Sequence, residues 1–312
     1  MRINHVLVAL MITCIFGLNY SAIKLGLGSF DPLLLAGLRF SLCAFPAIFF
    51  AKKPTCHFKY VAVYGVSISL GLWSVLLGMH AGLSAGVSAL VLQLGALMTV
   101  IVGLFLFKER ITIFNAIGFL LALLGLGLIA AVTDGSVTGR GMAFALLGTA
   151  FWVVANTAIK KSGTDQPFLF LIWSGPVSAL TMFAIRFVIY NKSPFEGIVE
   201  NLHPLSIATL LFIAYVATLF AYGVWTMLLC KYALSISAPT YLLVPVFSII
   251  FSHLIFNEPV GPLKISAAIL IILGVLVNAC GRNIFNAYLR DHGATNLPMP
   301  SNPISNLPAG SK

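Results

Sequence analysis

Long apolar runs, separated by short groups of polar and turn residues, extend along most of this chain. Residues 84–107 and 204–230 contain no charged side chain. Each run exceeds the roughly 20 residues that carry a helix across a hydrocarbon core about 30 Å thick. The breaks hold turn residues and charges, such as Asp31-Pro32 and Lys52-Lys53-Pro54. Apolar and polar positions do not alternate with a period of two through the runs, which argues against a transmembrane β-barrel.

Run lengths and breaks predict an all-α polytopic membrane protein with about ten transmembrane helices. The apolar run after Arg2 also resembles a signal peptide. It continues to Ile23 without a small-residue cleavage site, so we expect it to remain as the first span. The predicted spans are residues 5–27, 33–51, 60–80, 84–107, 113–132, 141–160, 167–190, 205–230, 235–256 and 263–280.

Composition supports a lipid environment and suggests an orientation. Hydrophobic residues make up 60% of the chain and charged residues 8%, whereas a soluble domain carries about 25% charged residues. With a cytoplasmic N terminus, most of the lysines and arginines fall on cytoplasmic segments, so both termini are predicted to be cytoplasmic. The net charge of +10 then reflects topology and attraction to the lipid bilayer. No clustered basic face suggests a nucleic-acid partner.

Two polar strings recur in the same order along the chain. NYSAIKLG at 19–26 is echoed by NTAIKKSG at 156–163, and FKERIT at 107–112 by FNEPVG at 256–261. Each copy would hold five spans, an odd number, so the second repeat must enter the membrane with inverted orientation. The predicted domains are residues 1–135 and 136–282, followed by a disordered cytoplasmic tail at 283–312 that is rich in Asn, Pro and Ser.

The sequence resembles the EamA-like branch of the drug/metabolite transporter superfamily through both halves. The resemblance implies ten helices around a central cavity, and a multi-pass transporter of the bacterial inner (cytoplasmic) membrane that exports small metabolites. Cysteine-pathway compounds and amides are the solutes that it implies. It rests on GLNYSAIKLGL (17–27), PLLLAGLRFSLCAFPAIFF (32–50), SALVLQ (88–93), FKERIT (107–112), AFWVVANTAIKK (150–161), IWS (172–174), AYVATLFAYGVW (214–225) and LLVP (242–245).

Three positions depart from the pattern of that family. Phe16 stands where the family has a tryptophan before Gly-Leu-Asn, and Leu72 and His80 replace a glutamine and an asparagine of the third span. If these positions line the cavity, we expect the accepted solute to differ from that of relatives.

Two basic residues lie within or close to predicted spans. Arg39 follows Pro32 by seven residues, which is about 10 Å along a helix. A lone arginine at membrane depth is costly and faces a partner or a wet cavity, although snorkelling to the outer interface is the alternative. Its counterpart in the second repeat is Ser174, so the scaffold itself does not demand a charge there. For Lys24, closer to the interface, snorkelling and a functional role both remain open.

The remaining candidates are neutral amides, aromatic residues and one histidine. The amides either bind a zwitterionic solute or join helix to helix. The aromatic residues either form a cavity wall or anchor span ends at the interface, and the histidine either belongs to the site as a side chain that can change charge or is hydrogen-bonded near an interface. With the two basic residues, the candidate solute-binding set is Asn19, Lys24, Arg39, His80, Gln93, Trp152, Asn156, Trp173, Tyr222 and Trp225.

Nothing in the sequence predicts a catalytic centre. The spans contain no paired acids and no nucleophile with an adjacent base, the five cysteines are scattered without CxxC spacing, and a phosphate-binding loop is absent. We therefore predict no cofactor, no metal and no enzymatic activity. The favoured function is a secondary transporter that exports amino acids or related small metabolites by alternating access. The alternatives are a carrier of the same fold for another solute, including an importer, and a helical membrane scaffold or intramembrane enzyme.

Overall fold

A computed structural model describes residues 3–107, 113–132, 135–191, 193, 195–225 and 243–291. Every regular element within these ranges is a helix. The described residues form ten main helices, as the run lengths predict, and the all-α fold is thereby confirmed. They are α1 (Ile3–Gly26), α2 (Pro32–Ala44), α3 (Phe58–His80), α4 (Ala85–Phe107), α5 (Ile113–Ala130), α6 (Gly139–Ser162), α7 (Pro167–Tyr190), α8 (Pro204–Trp225), α9 (Val244–Phe256) and α10 (Pro262–Asp291).

The boundaries of several predicted spans change. The predicted span 33–51 agrees with an apolar span over Pro32–Phe49, but it is interrupted, because α2 ends at Ala44 and Ala47–Phe49 form a short 3-10 turn. Pro46 has no N–H to continue the helix and disfavours helical backbone at Phe45, which is extended. Helix α10 continues to Asp291, beyond the predicted start of the tail at 283. Residues 292–312 lie outside the described part.

Helix α8 is not a uniform α-helix. It is α-helical over Pro204–Leu211, becomes π-helical over Phe212–Phe220 and is helical up to Trp225, the last described residue before 243. Nothing in this apolar stretch predicts that change. The rest of the predicted span 205–230 and the start of the span 235–256 lie outside the described residues.

The two halves of the chain pack on each other reciprocally. The first span of each half contacts the fourth span of the other, in the pairs α1–α9 and α6–α4. The second spans pack together as α2–α7, and the fifth spans as α5–α10. Contacts that run both ways between equivalent elements indicate a two-fold relation between the halves. This arrangement agrees with the inverted repeat that the two sequence echoes predict.

Glycines allow close approach where equivalent helices cross. A Cβ added at Gly274 of α10 would lie 2.6 Å from the carbonyl oxygen of Gly118 on α5. One added at Gly125 of α5 would lie 2.7 Å from Ile271 Cγ1 on α10. Small residues at such crossings let helix backbones pack closely, which supports association in lipid. The crossing therefore depends on the absence of side chains at these two positions.

An ion pair ties the start of α2 to the end of α7. The Asp31 carboxylate accepts hydrogen bonds from the backbone N–H groups of Leu33 and Leu34, both at 3.0 Å, and so caps α2. Its other oxygen lies 2.9 Å from Arg186 Nη2. The first turn of α2 is thereby fixed, and the position of Arg39 two turns further along follows from it.

Candidate solute-binding cavity

A cavity of about 130 Å³ lies inside the helix bundle. Helices α1, α2, α3 and α4 of the first repeat line it, together with α6, α7, α8 and α9 of the second. A single water needs only about 10–15 Å³, so the cavity has room for a small solute. Its place at the interface of two inverted repeats is the position of the solute site in transporters built this way.

The wall of the cavity is mainly aromatic and apolar. Edge-to-face packing of Phe16 against Tyr222, with ring centroids 5.0 Å apart, joins α1 to α8. Of the described lining residues, none is acidic. The aromatic members of the wall are Phe16, Tyr20, Phe40, Tyr64, Trp152, Phe168 and Tyr222.

Arg39 brings a positive charge to this wall. The residue is only 8% exposed, so it lies within the bundle rather than snorkelling to an interface. Its Nε donates a hydrogen bond to Thr218 Oγ1 at 3.2 Å. Its Nη1 is buried and has no hydrogen-bond partner among the described residues. A buried donor without an acceptor costs free energy, so this atom favours an occupant that carries an acceptor.

Asn19 supplies the opposite hydrogen-bonding character. It is 9% exposed and lines the cavity from α1. Its Oδ1 is buried without a hydrogen-bond donor in the described structure. Among the described lining residues, Arg39 therefore offers an unused donor and Asn19 an unused acceptor. Ser174, the counterpart of Arg39 in the second repeat, also lines the cavity.

The π-helical part of α8 brings Thr218 to Arg39. The Thr218 hydroxyl donates to the carbonyl oxygen of Ile213, five residues earlier, at 2.6 Å, and accepts from Arg39 Nε. Sequence reasoning did not single out Thr218, because a threonine in an apolar span usually bonds to its own helix. No feature of the sequence marks the π-helical geometry that turns its hydroxyl toward α2.

The structure places four of the predicted site residues in the cavity wall: Asn19, Arg39, Trp152 and Tyr222. Two of the three departures from the family pattern are also there, since Phe16 and Leu72 line the cavity and His80 does not.

Lys24 lies away from the cavity wall and forms an ion pair with Glu258, just after α9. Its Nζ also lies 4.5 Å from the centroid of the Phe256 ring. Glu258 accepts a second hydrogen bond from Ser252. Glu258 therefore has a local partner in Ser252 and a charged partner that comes from the other repeat.

The other predicted residues lie elsewhere in the described structure. Trp173 donates from Nε1 to the carbonyl oxygen of Lys52 at 3.0 Å, so it holds the α2–α3 connection. His80 is exposed at the end of α3, and Gln93 is buried on α4. Asn156 is half-buried on α6, and Trp225 packs beside a cluster around Phe16 at the end of α8. None of these five lines the cavity.

A family model described as the EamA-like transporter family matches residues 4–131 and again residues 139–280. The chain belongs to the EamA-like transporter family. The two matches coincide with the two predicted repeats, and the resemblance seen in the sequence is confirmed. Membership makes this protein a multi-pass membrane transporter.

Individual relatives agree with the family assignment. The "Probable amino-acid metabolite efflux pump" of Escherichia coli is 34% identical over 283 residues, which cover 88% of this chain and 94% of the relative. The protein of the same name from Salmonella typhimurium is 33% identical over 280 residues and covers 88% and 94%. A solved crystal structure matches with a TM-score of 0.60 and 17% identity, over 89% of this chain and 98% of that chain. At that identity the match supports the fold alone.

Proposed function

We propose that this EamA-family protein is a secondary transporter that exports amino acids or related small metabolites, including cysteine-pathway compounds and amides, across the bacterial inner membrane by alternating access. The observation that carries the proposal is that one cavity between the repeats is lined both by Arg39, with an unused donor, and by Asn19, with an unused acceptor. The names of the two bacterial relatives support the same solute class.

The chemistry of an amino acid fits this pair of groups. A carboxylate accepts charge-assisted hydrogen bonds from a guanidinium, and arginine holds it in a planar geometry that lysine does not reproduce. The solute's ammonium group donates to Asn19 Oδ1, and the ammonium also gains from the faces of the surrounding aromatic rings. The remaining aromatic wall accommodates the side chain.

A second candidate is a carrier of the same fold whose solute is less polar than those of its relatives. Phe16 and Leu72 favour it, because both line the cavity and the resemblance implies tryptophan and glutamine at these two positions. One methylene in an apolar pocket changes selectivity by about 1–3 kcal/mol. A cavity of this composition then prefers apolar amino acids such as leucine to glutamine.

Counterflow in proteoliposomes without ATP tests both candidates. The labelled panel is L-cysteine, L-glutamine, L-leucine and L-phenylalanine. We expect saturable counterflow of at least one panel member. Transport should need no ATP, because the sequence has no nucleotide-binding motif. Faster transport of cysteine or glutamine favours the first candidate, and faster transport of leucine or phenylalanine the second. Counterflow of none, or a strict requirement for ATP, overturns the proposed function.

A further inference from the structure

The π-helical segment Phe212–Phe220 contacts α2 and the residue just after it at three points. Arg39 Nε donates to Thr218 Oγ1 at 3.2 Å. Cys43 Sγ donates to the carbonyl oxygen of Ala214 at 3.4 Å. The Tyr215 hydroxyl lies 3.5 Å from the carbonyl oxygen of Phe45, to which it donates. The C-terminal half of α2, from Arg39 onward, is therefore held by this segment of α8.

The π geometry fixes the direction of the Thr218 hydroxyl. In an α-helix a threonine hydroxyl bonds to a carbonyl three or four residues earlier. Thr218 instead bonds to Ile213, five residues earlier, at 2.6 Å. A hydroxyl has one proton to donate and two lone pairs to accept with. With its proton engaged by Ile213, Thr218 presents only an acceptor to Arg39, and the Nε–H of Arg39 is the matching donor.

This contact determines which part of the guanidinium remains for a solute. Nε is engaged by Thr218, while Nη1 has no partner among the described residues. A free arginine side chain carries about 2 kcal/mol of rotamer entropy, part of which is lost when it is fixed by a ligand. A guanidinium that is already held at Nε loses less of it on binding, which favours tighter association.

We propose that Thr218 is a positioning residue for solute recognition, which the π-helical turn of α8 holds against Arg39 Nε so that the terminal nitrogens of the guanidinium are kept for the solute's carboxylate. The inference rests on the proposed function in one respect, namely that Arg39 binds that carboxylate. Thr218 itself acts through Arg39 and needs no contact with the solute.

The test compares Thr218→Val, which replaces the hydroxyl by a methyl group, with Thr218→Ser, which keeps it. Thr181→Val is the matched control, since the Thr181 hydroxyl bonds to Val177 on its own helix at 2.8 Å and does not line the cavity. The solutes are the panel amino acid with the fastest counterflow and its own α-carboxamide, which lacks the carboxylate. KM and maximal rate are measured for both in proteoliposomes, after thermal unfolding has shown that each variant is folded.

We expect Thr218→Val to raise the KM for the amino acid roughly three- to tenfold, the loss that one intramolecular hydrogen bond predicts. The KM for the carboxamide should change less than about twofold, because this solute has no carboxylate for Arg39 to bind. The maximal rates for both solutes should also change less than about twofold. Thr218→Ser should restore the KM, and Thr181→Val should leave it unchanged.

Several outcomes overturn the positioning role. The first is an unchanged KM for the amino acid in Thr218→Val. The second is an equal rise in KM for the amino acid and its carboxamide. The third is a Thr218→Ser variant whose amino-acid KM is as high as that of Thr218→Val. Arg39→Ala separates this failure from that of the proposed function. If Arg39→Ala raises the amino-acid KM while Thr218→Val does not, only the positioning role fails. If neither change affects it, the carboxylate role of Arg39 fails as well.

Discussion

At the scale of single residues, Arg39 is a cation in a costly setting. It is buried in a wall that contains no acidic side chain among the described lining residues, and Nε makes its one hydrogen bond there. Proteins rarely leave a charge at membrane depth unless it pairs or faces a water-filled cavity. An anionic group of the solute would satisfy both its charge and its unused donor.

Arg39→Ala should therefore weaken binding of the transported amino acid by roughly tenfold to a hundredfold, because a charge-assisted hydrogen bond contributes about 1.5–3 kcal/mol. Arg39→Lys should recover only part of the loss, since an ammonium cannot form two parallel hydrogen bonds. Lys53→Ala, on the α2–α3 connection, is the control and should transport normally. Affinity is measured by competition in counterflow. A folded Arg39→Ala protein with unchanged affinity would contradict the binding role.

Sequence reasoning located part of the site for a physical reason. Polar side chains deep in an apolar span must face something other than lipid, and this requirement alone identifies Arg39 and Asn19. Toward helix ends the requirement is less restrictive, because water, headgroups and distant residues are all available there as partners. Lys24 lies there, and its partner Glu258 comes from a segment remote in the chain, as does the Lys52 carbonyl that Trp173 contacts, so no local pattern could assign them.

At the scale of elements, spans follow from run length, but their internal geometry does not. A π-helical segment and an α-helix have similar apolar sequences, and packing against α2 distinguishes them here. The sequence also does not show where two helices cross closely, because a glycine within a span can face lipid as well as another helix. Gly274 and Gly127 illustrate the difference, since a Cβ meets a backbone oxygen at the first and nothing within 4 Å at the second.

Gly274→Ala should lower the thermal unfolding temperature, because a methyl group at 2.6 Å from the Gly118 oxygen forces α5 and α10 apart. Overpacking of this kind costs about 1–3 kcal/mol. Gly127→Ala is the matched control, and it should leave the temperature unchanged or raise it slightly, since alanine favours helix by about 0.5–1 kcal/mol over glycine. Equal effects of the two substitutions in detergent-solubilised protein would show that the crossing tolerates side chains.

At the scale of the whole molecule, the reciprocal pairing of helices fixes the relation of the halves. Equivalent spans of two repeats with five spans each point in opposite directions through the membrane. The two sequence echoes predict this arrangement, and two successive family matches bear it out. The distribution of basic residues predicts that both termini are cytoplasmic.

Reporter fusions after Arg290 and after Gly135 test that orientation. The first should report a cytoplasmic position, and the second, between α5 and α6, the opposite side. The basic residues near the span ends provide the reason, because they resist translocation. The two fusions reporting the same side would contradict an odd number of spans per repeat.

The Lys24–Glu258 pair joins the two repeats at one end of the bundle. Its side chains are 31% and 12% exposed, so solvent screens the attraction only in part. A pair of this kind contributes on the order of 1 kcal/mol. Lys24→Glu and Glu258→Lys should each lower the unfolding temperature, and the double exchange should recover most of the loss. A double variant no more stable than the weaker single variant would show that charge pairing does not stabilise this end.

The origin of these two charges has a consequence for how the two halves are held together. Lys24 belongs to the first copy of one echoed string, and Glu258 to the second copy of the other. Their attraction therefore joins the two repeats directly, and dissolved salt screens it. High ionic strength should weaken the contact between the repeats at this end of the bundle.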